Sequence, residues 1–120
     1  YHVATSMKSF QEDLRIKGYE DDVLSVTTSE FGRRVYSNGS YGTDHGTAGP
    51  IFIFGKGVQP GVVGDAFATT SNGGNLAMQY DYRNIYANII KDWMWKGQDT
   101  NNYLDEIFPG LMTTGTTDSV

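Results

Sequence analysis

The sequence of 120 residues contains no cysteine, only three prolines and few basic residues. The absence of cysteine excludes disulfide bonds and thiolate metal sites. Nine Lys and Arg residues against fourteen Asp and Glu residues give a net charge of −5. Because the basic residues form no cluster larger than Arg33-Arg34, we predict no nucleic-acid partner. No apolar run has the length of a membrane-spanning helix, so no membrane span is predicted.

What the sequence does contain is enough apolar material for one core. Hydrophobic residues make up 38% and aromatic residues 13% of the chain. We predict a single α/β domain over residues 1–112, followed by a flexible tail over residues 113–120 that has no hydrophobic pattern. The chain starts inside what looks like a structural element, so we expect it to be a piece of a larger domain. An exposed sheet edge would then favour homo-oligomers.

The order of apolar segments predicts the fold class. Val3, Met7, Phe10 and Leu14 recur at helical spacing and predict a helix over residues 4–17 that ends at Gly18. Asp81 is a suitable N-cap for a second helix over residues 82–96. Between them, the apolar runs 23–28 and 51–54 are typical of strands buried on both faces. We therefore predict a three-layer α/β/α fold whose mostly parallel sheet places these two strands side by side.

A polar, glycine-rich loop joins the two apolar runs and contains the candidate site residues. Asp44 and His45 are ordinary ligands for a divalent ion, and on irregular backbone both can face one site. The alternative is that the pair only makes hydrogen bonds within a turn. Glu30 follows the first run and is a candidate metal ligand or base, or it is paired with an arginine. Arg33 is a candidate for binding an anion through its planar fork, or it is a surface charge.

Several motifs resemble a known superfamily. TTSEFG (residues 27–32) is similar to the strand-end motif T-S-D-H-G of the alkaline phosphatase and sulfatase superfamily. His45 lies five residues before PIFIFG (residues 50–55), as that superfamily's last metal-binding histidine lies before its own strand. SEFGRR, NGSYGTDHGTA and YDYRNIYANIIKDW are most similar to exported bacterial sulfatase-like proteins of unknown function.

This resemblance implies a fold, a site and a location. The chain would be the carboxyl-terminal part of an alkaline-phosphatase-like fold, exported to the periplasm or cell envelope. Glu30, Asp44 and His45 would help to hold one divalent ion of the zinc, calcium or magnesium class, and Arg33 would bind the anionic oxygens of a small ester. The nucleophile would lie upstream of this chain, which alone is expected to lack both the ion and activity. Phe31 departs from the motif, because phenylalanine cannot ligate the second metal.

Two functions follow from the sequence. In the first, the intact protein is a metal-dependent hydrolase of phosphate or sulfate esters. In the second, it is a non-catalytic binding or structural module with a degenerate metal site, in which Phe31 fills the lost metal position, Glu30 pairs with Arg33 and Asp44 braces His45. Bound metal is the observation that discriminates between the two functions.

Overall fold

The computed structural model describes residues 1–66, 69, 74–97, 99 and 101–111. The predicted tail, residues 113–120, lies outside these described residues. Contacts within the chain divide it into two compact units. The amino-terminal unit comprises Tyr1–Val62 with Ala66–Ala77, and the carboxyl-terminal unit comprises Val63–Asp65 with Met78–Val120.

The first helix confirms the helical spacing of its apolar residues. Helix α1 spans His2–Lys17, and Gly18 ends it in the left-handed region at φ 78°. Glycine suits that position because it has no Cβ to clash. The apolar stripe is buried only at its end, since Leu14 is 8% exposed whereas Phe10 is 43% exposed.

The prediction of a mostly parallel sheet is wrong. Strand β1 is short, Ser25–Val26, and it pairs antiparallel with β4, Ile53–Phe54. Parallel neighbours need a crossover connection, usually a helix, to bring the chain back to the same starting edge. The residues between these strands form a hairpin instead, so the chain returns in the opposite direction. The described residues therefore contain two separate two-stranded antiparallel sheets and no three-layer arrangement.

The second sheet lies in the segment that joins β1 to β4. Strand β2 spans Gly32–Ser37 and strand β3 spans Thr43–Gly46. They pair antiparallel, with Arg33 opposite His45, and the register becomes irregular between Arg33 and Ser37. This hairpin carries most of the residues that the sequence marks as a candidate site.

Short helical segments and a small core form the carboxyl-terminal unit. The side chain of Asp81 caps helix α2, Tyr82–Asn88, which continues into a π-helical segment, Ile89–Met94. Helix α3 spans Asn101–Ile107. The core of this unit consists of Ala87, Leu104 and Leu111, packed against Ile90 and Phe108.

None of the helices in the described residues combines the length and the apolar character that crossing a membrane requires.

Candidate functional site

A tight turn around Asn38 closes the β2–β3 hairpin. The Oδ1 atom of Asn38 accepts hydrogen bonds from the backbone N–H groups of Ser40 at 3.0 Å and Gly42 at 3.1 Å. The backbone N–H of Asn38 donates to the carbonyl of Gly42 at 2.8 Å. Asparagine favours such turns because its short side chain can replace a backbone acceptor. The turn therefore brings the end of β2 back to the start of β3.

The two sequence motifs meet across this hairpin. The rings of Phe31 and His45 are stacked, with centroids 3.5 Å apart and planes 17° from parallel. A metal ion binds an imidazole nitrogen through a lone pair that lies in the plane of the ring. Phe31 covers a face of the imidazole and not its edge. The stacking therefore does not block the direction from which a metal ion would approach a ring nitrogen of His45.

Arg33 lies on the same face of the hairpin as this aromatic pair. Its Cζ atom is 5.0 Å from the centre of the Phe31 ring, within the range of a cation–π interaction. Its Nη1 atom donates a hydrogen bond of 2.6 Å to the carbonyl of Thr43. The guanidinium therefore uses one nitrogen atom to bond the opposite strand of the hairpin. The Arg33 side chain is nevertheless exposed.

Asp44 and Glu30 have different surroundings. Oδ1 of Asp44 accepts a hydrogen bond of 3.0 Å from Nδ2 of Asn38. Glu30 is exposed, and no hydrogen bond or ion pair joins it to another residue in the part of the chain that the structure describes. The expected pairing of Glu30 with Arg33 is therefore not formed there, and the partner of Asp44 is Asn38.

The hairpin does not form a complete metal centre by itself. Among the described residues, no three or more His, Cys, Asp or Glu side chains lie together so that they could hold an ion. Asp44 and His45 are neighbours in sequence, and Phe31 occupies the ring face of His45. The residues present therefore fit part of a coordination shell, and an ion would need further ligands.

A separate groove lies elsewhere in the amino-terminal unit. It has a volume of about 390 Å³ and is lined by Lys8, Gln11, Glu12, Arg15, Glu20, Gly55 and Lys56. Its charges are largely paired, because Arg15 bonds Glu12, and Lys56 bonds Glu20 and Asp21. The hydrogen bonds that the Lys56 ammonium donates to Asp21 and Glu20 raise the pKa of Lys56. No residue of the hairpin lines this groove, so it is distinct from the candidate site.

The sequence identified most of these residues but not what holds them in place. Asn38-Gly39 is a turn signal in the sequence, yet the bond from Asn38 to Asp44 does not follow from that signal. Strand β2 lies in the segment that the sequence predicts as a polar, glycine-rich loop. Its polar composition hides the two-residue period that normally reveals a strand.

Comparison with known proteins places the chain among proteins without an assigned activity. The family described as "Protein of unknown function (DUF1501)" matches residues 2–100, which is most of the chain. No curated protein matches the sequence. No solved structure matches it either.

Proposed function

The chain belongs to the family of proteins of unknown function DUF1501, and we propose that it is the carboxyl-terminal part of a sulfatase- or phosphatase-like protein that binds anionic esters. In this proposal, the β2–β3 hairpin supplies some of the side chains of the ester site. Metal-dependent hydrolysis of phosphate or sulfate esters is then the activity of the longer protein. The chain by itself is expected to be inactive.

The contact between Phe31 and His45 is the observation that carries this proposal. These residues belong to the motifs SEFGRR and GTDHG, and they lie fourteen positions apart in the sequence. A ring separation of 3.5 Å brings the two motifs to one place. Because β1 pairs antiparallel with β4, a parallel sheet cannot support this proposal. The proposal therefore rests on the motifs and on their contact.

Each side chain of the hairpin has a proposed role. His45 would offer an imidazole nitrogen to a divalent ion, and Asp44 would offer the carboxylate oxygen that Asn38 does not occupy. Arg33 would bind the anionic oxygens of the ester through the nitrogen atoms that do not bond Thr43. Glu30 would join the ion as a further ligand. The remaining ligands and the nucleophile would come from another part of the longer protein.

A second candidate function is a non-catalytic binding or structural module. The same contact gives it specific support, because an aromatic ring stacked on His45 fills space that a second ion would need. The lack of a three-ligand cluster among the described residues agrees with it as well. In this case the hairpin would keep the shape of an ester site without its chemistry.

Zinc binding tests the first function. Equilibrium dialysis with Zn²⁺ would compare wild type with His45→Ala, first in this chain and then in the longer protein. His2→Ala is the matched control, since the sequence has only two histidines. We expect one zinc ion in the longer protein, bound at least about tenfold more weakly after His45→Ala because an imidazole ligand is lost. Equal zinc binding by wild type and His45→Ala would contradict this function and favour the non-catalytic module.

The resemblance also carries proposals about location and assembly. Export to the periplasm or cell envelope would be tested by fractionating cells that express the longer protein. A two-stranded sheet has no central strand, so a second copy could add a strand at an edge. Light scattering at increasing concentration would detect such a homo-oligomer, and a constant monomer mass would argue against it.

A further inference from the structure

We infer that Asn38 is a site of spontaneous deamidation, in which the backbone nitrogen of Gly39 attacks the Asn38 side chain of the folded protein. The products are isoaspartate and aspartate at position 38. The observations that carry this inference are the free N–H group of Gly39, its open surroundings and the hydrogen bonds of the Asn38 amide. The inference does not rest on the proposed ester site, because the reaction needs neither a metal ion nor an ester.

The N–H group of Gly39 is free to act as the nucleophile. Among the described residues it makes no hydrogen bond, whereas the N–H groups of Asn38, Tyr41 and Gly42 all donate. Gly39 is exposed, and a Cβ atom built on it would have no neighbour within 4 Å. Glycine also permits more backbone conformations than other residues, so its nitrogen can turn toward the preceding side chain.

The turn polarises the amide that is attacked. The Oδ1 atom of Asn38 accepts hydrogen bonds from the backbone N–H groups of Ser40 at 3.0 Å and Gly42 at 3.1 Å. Attack on Cγ moves negative charge onto Oδ1, and N–H donors at this distance stabilise such charge, as the donors of an oxyanion hole do. The hydrogen bonds that order the turn therefore favour the reaction.

The reaction balances with water as the co-reactant. A hydroxide ion removes the proton of the Gly39 N–H, and the nitrogen forms a bond to Cγ of Asn38. The Cγ–Nδ2 bond breaks, and Nδ2 takes a proton from water and leaves as ammonia, which regenerates the hydroxide ion. Water then opens the cyclic imide at one of its two carbonyl groups. One opening gives aspartate and the other gives isoaspartate, whose backbone link is longer.

Deamidation changes the contact between Asn38 and Asp44. In the unmodified chain, Nδ2 of Asn38 donates to Oδ1 of Asp44 at 3.0 Å. In the product a carboxylate replaces this donor, so a hydrogen bond is lost and two negative charges face each other. We therefore expect the modified hairpin to be less stable.

Peptide mapping by mass spectrometry follows the reaction at this residue. Trypsin releases residues 35–56 as one peptide, in which Asn38 is the only asparagine and no glutamine is present. A mass increase of this peptide therefore reports on Asn38 alone. We expect the modified fraction of the native chain to grow with time at neutral pH, as two products that separate by chromatography. In Gly39→Ala the rate should fall by at least about tenfold, because alanine restricts the attacking nitrogen.

Gly61→Ala is the matched control, since a Cβ atom at Gly61 also has no neighbour within 4 Å and the preceding residue is Pro60. It should leave the rate at Asn38 unchanged. Incubation in guanidinium chloride then separates the effect of the fold from that of the dipeptide. We expect the native rate to equal or exceed the unfolded rate, because the turn polarises the amide. A native rate below the unfolded rate, or equal rates in wild type and Gly39→Ala, would overturn the inference.

Substitution tests the effect on the hairpin. Asn38→Asp reproduces the aspartate product and should lower the melting temperature. Combining Asn38→Asp with Asp44→Asn exchanges the two groups and should recover most of the loss, because the amide again faces a carboxylate. An unchanged melting temperature in Asn38→Asp would contradict the proposed effect. All of these measurements are made in metal-free buffer, so they fail or succeed independently of zinc binding.

Discussion

The two units of the chain are stabilised in different ways. In the carboxyl-terminal unit, Ala87, Leu104 and Leu111 are buried together, and Leu104 is only 1% exposed. In the amino-terminal unit, Leu14 is the one buried hydrophobic residue among those described. The β2–β3 hairpin is ordered instead by backbone pairing, by the Asn38 turn and by close packing at glycines. The candidate site thus lies where geometry depends on hydrogen bonds and backbone fit more than on apolar burial.

Leu104→Ala should have the largest effect, because it tests the apolar core directly. Removing a fully buried leucine side chain leaves a cavity and typically costs about 2–5 kcal/mol. Both tryptophans lie at positions 93 and 95, so tryptophan fluorescence in a urea titration would report on the carboxyl-terminal unit. Ile107→Ala is the control in the same helix, since Ile107 is 41% exposed and should cost much less. Similar losses for both variants would contradict the core assigned to this unit.

Gly32→Ala should have the next largest effect, and it tests backbone fit in the hairpin. The new methyl group would overlap the carbonyl of Ala48, so the chain must shift at a cost of about 1–3 kcal/mol. The stack of Phe31 on His45 should be disturbed, and the ring-current shift of the His45 imidazole protons in NMR spectra would show it.

Gly39→Ala is the control for this variant. A Cβ atom at Gly39 has no neighbour within 4 Å, so the substitution should leave the His45 resonances in place. Unchanged His45 resonances in Gly32→Ala would show that the close approach to Ala48 does not hold the hairpin. The proposed difference in how the two units are stabilised would then lack its main evidence in the amino-terminal unit.

The sequence predicted helices better than it predicted strands. The end of α1 at Gly18 and the start of α2 after Asp81 were both correct, because local residues decide how a helix begins and ends. The apolar stripe of α1 is only partly buried, since Phe10 belongs to the stripe but is 43% exposed. A periodic stripe shows which face of a helix is apolar, and it contains no information on whether another element covers that face.

Strand direction could not be read from the sequence for a related reason. The apolar runs at 23–28 and 51–54 predict strands, but a strand can form hydrogen bonds with a parallel or an antiparallel neighbour. The hairpin that reverses the chain consists largely of polar residues and glycine, a composition that is typical of loops. The sequence predicts which types of residue belong to the candidate site. It does not predict the contact between Phe31 and His45, which is seen only in the structure.

The smallest effect concerns the N-cap of α2, in the unit that has a core. Oδ1 of Asp81 accepts a hydrogen bond of 2.9 Å from the backbone N–H of Arg83, and the carboxylate also accepts from the Arg83 side chain. The side-chain hydrogen bonds from Arg83, followed by the backbone bond, lower the pKa of Asp81. Asp81→Ala should therefore cost about 1 kcal/mol at neutral pH, the usual value of an N-cap.

The pH dependence of that cost tests its origin. Because the pKa of Asp81 is lower in the folded chain, its stabilisation is complete above the unfolded pKa of about 3.9 and is lost as the pH falls through the folded pKa. Urea titrations should thus show the difference between wild type and Asp81→Ala shrinking below about pH 4. Asp105→Asn, at an exposed position of α3, is the control variant in the same titrations. Arg83→Gln keeps the backbone N–H, so it should cost less than Asp81→Ala. A larger loss in Arg83→Gln would mean that the exposed ion pair, and not the cap, stabilises this helix, contrary to the small effect expected of surface ion pairs.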